Sequence, residues 1–241
     1  MRGMGTIVNV IAIIVGGGIG IVLKGGLKKR YQEIMLQALG VSTIFIGISG
    51  ALKGMLSIDG STLESGGAMM MIFSMALGAL VGEWINIEMR LERLGESIKQ
   101  RFGGREDTRF VEAFVTTSLV VCIGAMAIVG SLQDGLTGDA TMLYSKSFLD
   151  CISVAIFTST LGKGAVFSAI PVAVLQGVVT LFAGSLAPIL TADMVADLSF
   201  VGSVLIFCVG ANMALGRKFR VANMLPALIF VVLYNILNSP F

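Results

Sequence analysis

Apolar runs long enough to cross a bilayer constrain this chain more than any other feature. "TIVNVIAIIVGGGIGIVL", Thr6–Leu23, and "LSFVGSVLIFCVGANMAL", Leu198–Leu215, are two of them. A helix needs about 20 apolar residues to span the hydrocarbon core. A membrane barrel would instead show segments of about 10 residues with alternating polarity. Hydrophobic residues make up 55% of the 241 and charged residues 13%, against about 25% charged in ordinary soluble domains. The reading is an all-α, polytopic membrane protein, with residues 1–241 forming a single transmembrane domain.

Eight apolar segments are expected: Thr6–Leu23, Ile34–Leu52, Gly67–Ile85, Val111–Leu132, Phe148–Leu161, Ala165–Ala183, Leu198–Leu215 and Val221–Leu237. The fifth is short for a full span and the sixth carries Pro171. No cleavable leader is expected, because the first run begins almost at once after Met1-Arg2-Gly3.

Several chemistries drop out. There is no histidine, which removes Ser-His hydrolases, His-containing zinc sites and His proton relays. The cysteines Cys122, Cys151 and Cys208 all fall within apolar runs and read as small packing residues rather than a disulfide framework. No phosphate-cradling Gly-x-x-x-x-Gly-Lys-Ser/Thr loop occurs. "GLTGD" lacks the Gly-x-Gly-Asp spacing of intramembrane aspartyl proteases. No catalytic residue, cofactor, bound metal or nucleic-acid partner is therefore expected, and the chain is not read as an enzyme.

Charge placement sets the orientation. Fourteen of the 17 Lys and Arg residues fall in alternate connections: Lys24–Arg30, Arg90–Arg109, Lys163 and Arg217–Arg220. Arg2, Lys53 and Lys146 fall on the other side. Positive residues accumulate on the cytoplasmic face, so both termini are expected outside. The connection over residues 86–109 is the longest of the basic ones. Ile87, Leu91, Leu94, Ile98 and Phe102 recur there at spacings of three and four, the pattern of an amphipathic helix. It either extends the third segment into the cytoplasm or lies on the membrane surface.

Small residues point to close helix packing. Gly16–Gly20 and Gly78–Gly82 each place two glycines on one helix face. They suit packing within the chain or, alternatively, a homo-oligomer interface. Helices two and seven also share a pattern, since "TIFIGISGAL" and "IFCVGANMAL" align on Gly47 and Gly210, with Ser49 matching Asn212. These helices run in opposite senses. The match is thus a candidate inverted repeat of the kind that places a substrate site near the bilayer midplane.

The stretch "LDCISVAIFTSTLGKGAVFSAIPVAVLQG", Leu149–Gly177, is the least comfortable in lipid. Asp150 follows Lys146 by four residues, so the two share a helix face. An intramembrane carboxylate is by default a functional candidate, although a structural ion pair explains it equally. Gly162 and Gly164 flank a tight turn around Lys163. Pro171 cannot donate to a helix ladder. Thr158, Ser159, Thr160, Ser168 and Gln176 add hydroxyls and an amide. Irregular backbone at membrane depth is tolerated where it is buried in protein or lines a wet cavity. A broken or re-entrant helix hairpin lining a polar cavity is the reading favoured over a kinked packing hairpin. The preceding loop, with Gln133, Asp134 and Asp139, would cap that cavity. It is too poor in carboxylates for calcium.

The order of "GGGIG", "ALGVSTIFIGISGAL", "CIGAMAIVGSLQDGLTGD" and the 149–177 stretch resembles the bacterial membrane-protein family called domain of unknown function 554, over essentially the whole chain. The resemblance implies a bacterial inner-membrane protein, labelled at most as a transport protein, and brings no site residues with it. Two functions are expected to compete. One is secondary transport of a small polar solute or ion, with Asp150, Lys146, Ser168, Gln176, Ser49 and Asn212 as binding residues. The other is a non-transporting scaffold or regulatory protein acting through the helix at 87–102.

Overall fold

The computed structural model describes residues 2–26, 28–59, 62–102, 109–123, 125–188, 190–216 and 219–238. Arg105, Arg217 and Lys218, used in the charge count above, lie outside the described residues. The long helices open with α1 (Met4–Gly26) and α2 (Lys29–Met55), followed by a hairpin of β1 (Leu56–Asp59) and β2 (Thr62–Ser65). Then come α3 (Ala68–Ile85), α4 (Ile87–Phe102), α5 (Phe110–Cys122), α6 (Ala125–Thr137) and α7 (Thr141–Thr160). A 3-10 helix, Lys163–Ser168, leads into α8 (Ala169–Leu181) and the short α9 (Ala183–Leu186). The chain closes with α10 (Ala192–Leu215), the short α11 (Val221–Met224) and α12 (Ala227–Asn238).

Among the described residues five helices are long and apolar enough to cross a membrane, or six if the bent pair α5–α6 counts as one. The protein is thus an all-α polytopic membrane protein with one small antiparallel hairpin. The differences from the expected segments have local causes. α7 and α10 begin well before their apolar runs because polar side chains hold N–H groups of their first turns. Asp139 accepts from the Thr141 N–H at 3.0 Å, and the Thr191 hydroxyl accepts from the Met194 N–H at 3.2 Å. The continuous fourth segment expected over 111–132 is broken. Ile123 leaves the helical region, and α5 and α6 meet at 61°. The amphipathic pattern at 87–102 forms α4, separated from α3 by Asn86 in the left-handed conformation at φ 54°.

The chain groups into two compact units, Met1–Gln37 with Leu91–Ile189, and Ala38–Arg90 with Leu190–Phe241. In the first unit α1 and α7 pack in parallel. Gly16 lies on the Cys151 carbonyl and Gly20 on the Ala155 carbonyl, where any Cβ would collide. Ile13, Val121, Val154 and Val172, from α1, α5, α7 and α8, form one buried apolar layer.

In the second unit α2 and α10 pack antiparallel. A Cβ on Gly47 would come within 2.5 Å of the Phe207 N, and one on Gly210 within 2.6 Å of the Ile44 N. Gly78 and Gly82 of α3 lie against Ala227 and Asn223. Both Gly-xxx-Gly pairs are therefore occupied within the chain.

Candidate functional site

α7 carries the first part of the site. Lys146 and Asp150 are four residues apart, 6% and 7% exposed, and form an ion pair. The Lys146 ammonium also donates to the Val121 carbonyl at 2.9 Å. Val121 is in the last turn of α5, where carbonyls have no helical N–H to accept. The break in the fourth segment thus provides the acceptor that Lys146 needs. On the other side Asn9 Nδ2 donates to Asp150 Oδ2 at 3.0 Å. A buried charge left without its partner costs about 3–5 kcal/mol, so this cluster stands or falls as a unit.

The second part comes from α8, which runs antiparallel to α1. Thr6 and Thr180 place their hydroxyls 3.5 Å apart, and Ile13 shares the apolar layer with Val172. Asn9 lies between Thr6 and Ile13, and Gln176 between Val172 and Thr180, so this register sets Asn9 opposite Gln176. Gln176 is 1% exposed, and neither its Nε2 nor its Oε1 has a hydrogen-bond partner among the described residues. The same is true of Asn9 Oδ1. Buried amides left without partners are rare. Here the Gln176 amide and the Asn9 Oδ1 belong to opposing positions of α8 and α1, beside a charge pair that is neutral overall. The arrangement offers a polar ligand both donors and acceptors at fixed positions.

The expected hinge residues fall into distinct roles. Gly162 has φ 129°, which a side chain disfavours, and Gly164 lies against the Phe110 carbonyl with no room for a Cβ. Pro171 does not kink a helix. It lies in the first turn of α8, where a missing N–H costs nothing. Ser159 and Thr160 bond back to the Ile156 carbonyl at 2.8 Å, whereas Ser168 and Thr158 have hydroxyls without partners among the described residues.

The other two expected ligands, Ser49 and Asn212, lie in the second unit. Ser49 is exposed on α2. Asn212 spends its amide on the backbone of Phe219, donating to the carbonyl at 2.7 Å and accepting from the N–H at 2.8 Å, which pins the turn after α10.

The expected capping loop is also different. Asp134 belongs to α6, is fully buried, and accepts from the Gly3 and Gly5 N–H groups at 3.1 and 2.9 Å. It therefore caps the N-terminus of α1, where the helix dipole favours a carboxylate. Gln133 is exposed. Asp139 starts α7, and the Thr141 hydroxyl and N–H hold its carboxyl below the ordinary value.

Sequence reasoning missed Asn9 and Thr117. Asn9 is an amide in the middle of an apolar span, four residues before Ile13, and that isolation was the available signal. In the second unit Glu83 pairs with Arg220 and accepts from Asn223 Nδ2 at 2.7 Å, while Asn223 Oδ1 accepts from the Glu88 N–H at 2.7 Å. This polar clasp ties the end of α3 to α11. Among the described residues no group of three or more His, Cys, Asp or Glu side chains could hold a metal ion.

The sequence profile of the family described as "Protein of unknown function (DUF554)" matches residues 4–236. The chain is 32% identical over 225 residues to "Uncharacterized membrane protein YdfK" of Bacillus subtilis (strain 168), covering 93% of this chain and 92% of that one. It is 28% identical over 233 residues to "Uncharacterized protein YqgA" of Escherichia coli (strain K12), covering 95% and 94%. No solved structure matches it.

Proposed function

The chain belongs to the DUF554 family, and from that premise we propose that it is a secondary transporter of a small polar solute or ion in the bacterial inner membrane. The observation that carries the reading is the Asn9–Asp150–Gln176 layer: an ion pair bonded to Asn9 through its Nδ2, with the Asn9 Oδ1 and both Gln176 amide atoms left without partners among the described residues, inside a bundle of apolar helices. Polar groups are expensive at that depth and concentrate where a solute passes.

The finer topology belongs to the same proposal. Eight crossings result if α5–α6, α7 and α11–α12 each count as a span. α7 falls short of the five spans in apolar length partly because it holds an ion pair, and a neutral pair is cheaper to bury than either charge alone. The parallel course of α1 and α7 and the antiparallel course of α2 and α10 agree with this alternation. The charge asymmetry supports termini on the outer face. The mutual seating of Gly47 and Gly210 supports an inverted repeat centred on α2 and α10.

The scaffold reading has less in its favour. Ile98 of α4 is already buried against Phe110 and Phe114, so part of the apolar face a partner would need is occupied.

The test is the stability of the purified protein against a panel of small amides, polyols, carboxylates and inorganic salts. A ligand that binds the folded state raises stability by about 2.7 kcal/mol at a hundredfold excess over its Kd. The same ligand should be taken up by vesicles containing the protein, and Gln176→Leu should abolish both effects. If no solute stabilises the wild type, or if Gln176→Leu responds as the wild type does, the site is wrong.

A further inference from the structure

One helical turn from the Ile13–Val121–Val154–Val172 layer, on the side away from Asp150, lies a second set of polar groups. Thr117 is four residues before Val121, Thr158 four residues after Val154, and Ser168 four residues before Val172. The apolar layer unites Val121, Val154 and Val172, so the positions one turn on, in α5, in α7 and at the N-cap of α8, lie on one side of it. The register has independent support from Gly17, whose Cβ position is filled by Val166, and from Gly20, which packs against Thr158 Cβ.

All three side chains are 0% exposed, and none of the three hydroxyls has a hydrogen-bond partner among the described residues. This is not the habit of hydroxyls in this unit. Ser118 and Ser131 bond back to the carbonyl four residues earlier at 2.6 Å, and Ser147 does so at 2.7 Å. That local bond is the cheap solution for a Ser or Thr in an apolar helix. Thr117, Thr158 and Ser168 forgo it.

The chemistry of the set is narrow. It contains neutral oxygens and no carboxylate, thiol or imidazole. Thr158 also lies in the last turn of α7. The N–H groups of Leu161 and Gly162 both reach the Phe157 carbonyl. The carbonyls that follow lie at the negative end of the helix dipole. Such helix C-terminal ends favour a cation, as they do in carriers built from broken helices. Divalent ions are held through carboxylates, which this layer lacks. The one buried carboxylate nearby, Asp150, is already neutralised by Lys146 one layer away.

We propose that Thr117, Thr158 and Ser168 hold a monovalent alkali cation that binds together with the solute. This rests on the carrier reading for its role in coupling, but the binding site itself does not depend on transport.

The test uses the full chain, purified, with melting followed in sodium, potassium or N-methylglucamine chloride at equal ionic strength. A saturable rise in Tm with sodium or potassium over N-methylglucamine is expected. Thr158→Val and Ser168→Ala should each raise the half-saturating concentration about tenfold, the equivalent of one lost ligand interaction. Thr158→Ser keeps the hydroxyl and should respond as the wild type does, so a Thr158→Val variant that fails to fold leaves the test intact through Ser168→Ala and Thr158→Ser. Gln176→Leu should lose the solute response and keep the cation response. Equal melting in all three salts overturns the site, as does unchanged half-saturation in Ser168→Ala. Solute uptake that ignores the cation would leave the carrier reading standing and overturn the coupling. A saturable cation response without any uptake would do the reverse, supporting the site and sinking the carrier.

Discussion

Asp150 cannot be treated as an isolated carboxylate, because Lys146, Asn9 and the Val121 carbonyl are bound into the same cluster. Asp150→Asn would leave Lys146 buried without its counter-charge, even though a neutral amide is cheaper to bury than a carboxylate. Lys146→Met alone and Asp150→Leu alone should each destabilise the protein by about 3–5 kcal/mol, and Lys146→Met/Asp150→Leu together should recover most of the loss. Additive losses in denaturant unfolding would show that the two side chains act independently. Asp139 gives a different pH signature. Its carboxyl is held below the ordinary value by Thr141, so its contribution is present above the unfolded pKa. It is lost as pH falls below about 4 through the lower folded pKa. Melting measured from pH 6 to pH 3 should show a shallower acid decline in Asp139→Ala, and superimposable acid limbs would remove this role.

At the scale of elements, one run of glycines separates packing from propensity. Gly16 of α1 lies against the Cys151 carbonyl, whereas a Cβ on Gly18 would meet nothing within 4 Å. Gly16→Ala should push α1 off α7 and lower stability, while Gly18→Ala should be neutral or stabilising by up to about 1 kcal/mol, the helix-propensity difference. Equal effects of the two would mean that the α1–α7 approach is looser than the geometry requires. The turn after α7 behaves by the same logic. Pro171 lies in the first turn of α8 and Gly162 has φ 129°. Pro171→Ala should therefore be mild, and Gly162→Ala should cost more because of backbone strain. Thermal melting of the two variants, compared side by side, checks the ranking.

At the scale of the whole molecule the proposed orientation makes a labelling prediction. Lys28, Arg101 and Lys53 are exposed side chains; the proposed topology puts the first two on the cytoplasmic side and the third outside. In a background free of cysteine, an impermeant thiol reagent added to intact cells should label Lys53→Cys and spare Lys28→Cys and Arg101→Cys. The opposite pattern would invert the topology and move both termini inside. Permeabilised cells, where all three should react, provide the control.

Composition and apolar run length were enough to determine a helical membrane protein, because only a helix satisfies its own backbone in hydrocarbon. Charge position suggested the orientation, and spacing alone brought Lys146 and Asp150 to one face. Tertiary structure decided the rest. The break between α5 and α6 supplies the Val121 carbonyl to Lys146, and no hydropathy pattern marks a carbonyl as an acceptor. Asn9 reaches Asp150 from a helix 141 residues away in the chain, and Gln176 takes the position opposite Asn9 only because α8 runs antiparallel to α1. Ser49 and Asn212, matched by pattern, part company in the structure, since one is exposed and the other closes a turn. A polar residue in an apolar segment declares that it has a partner, but which partner depends on how helices far apart in sequence are set beside each other.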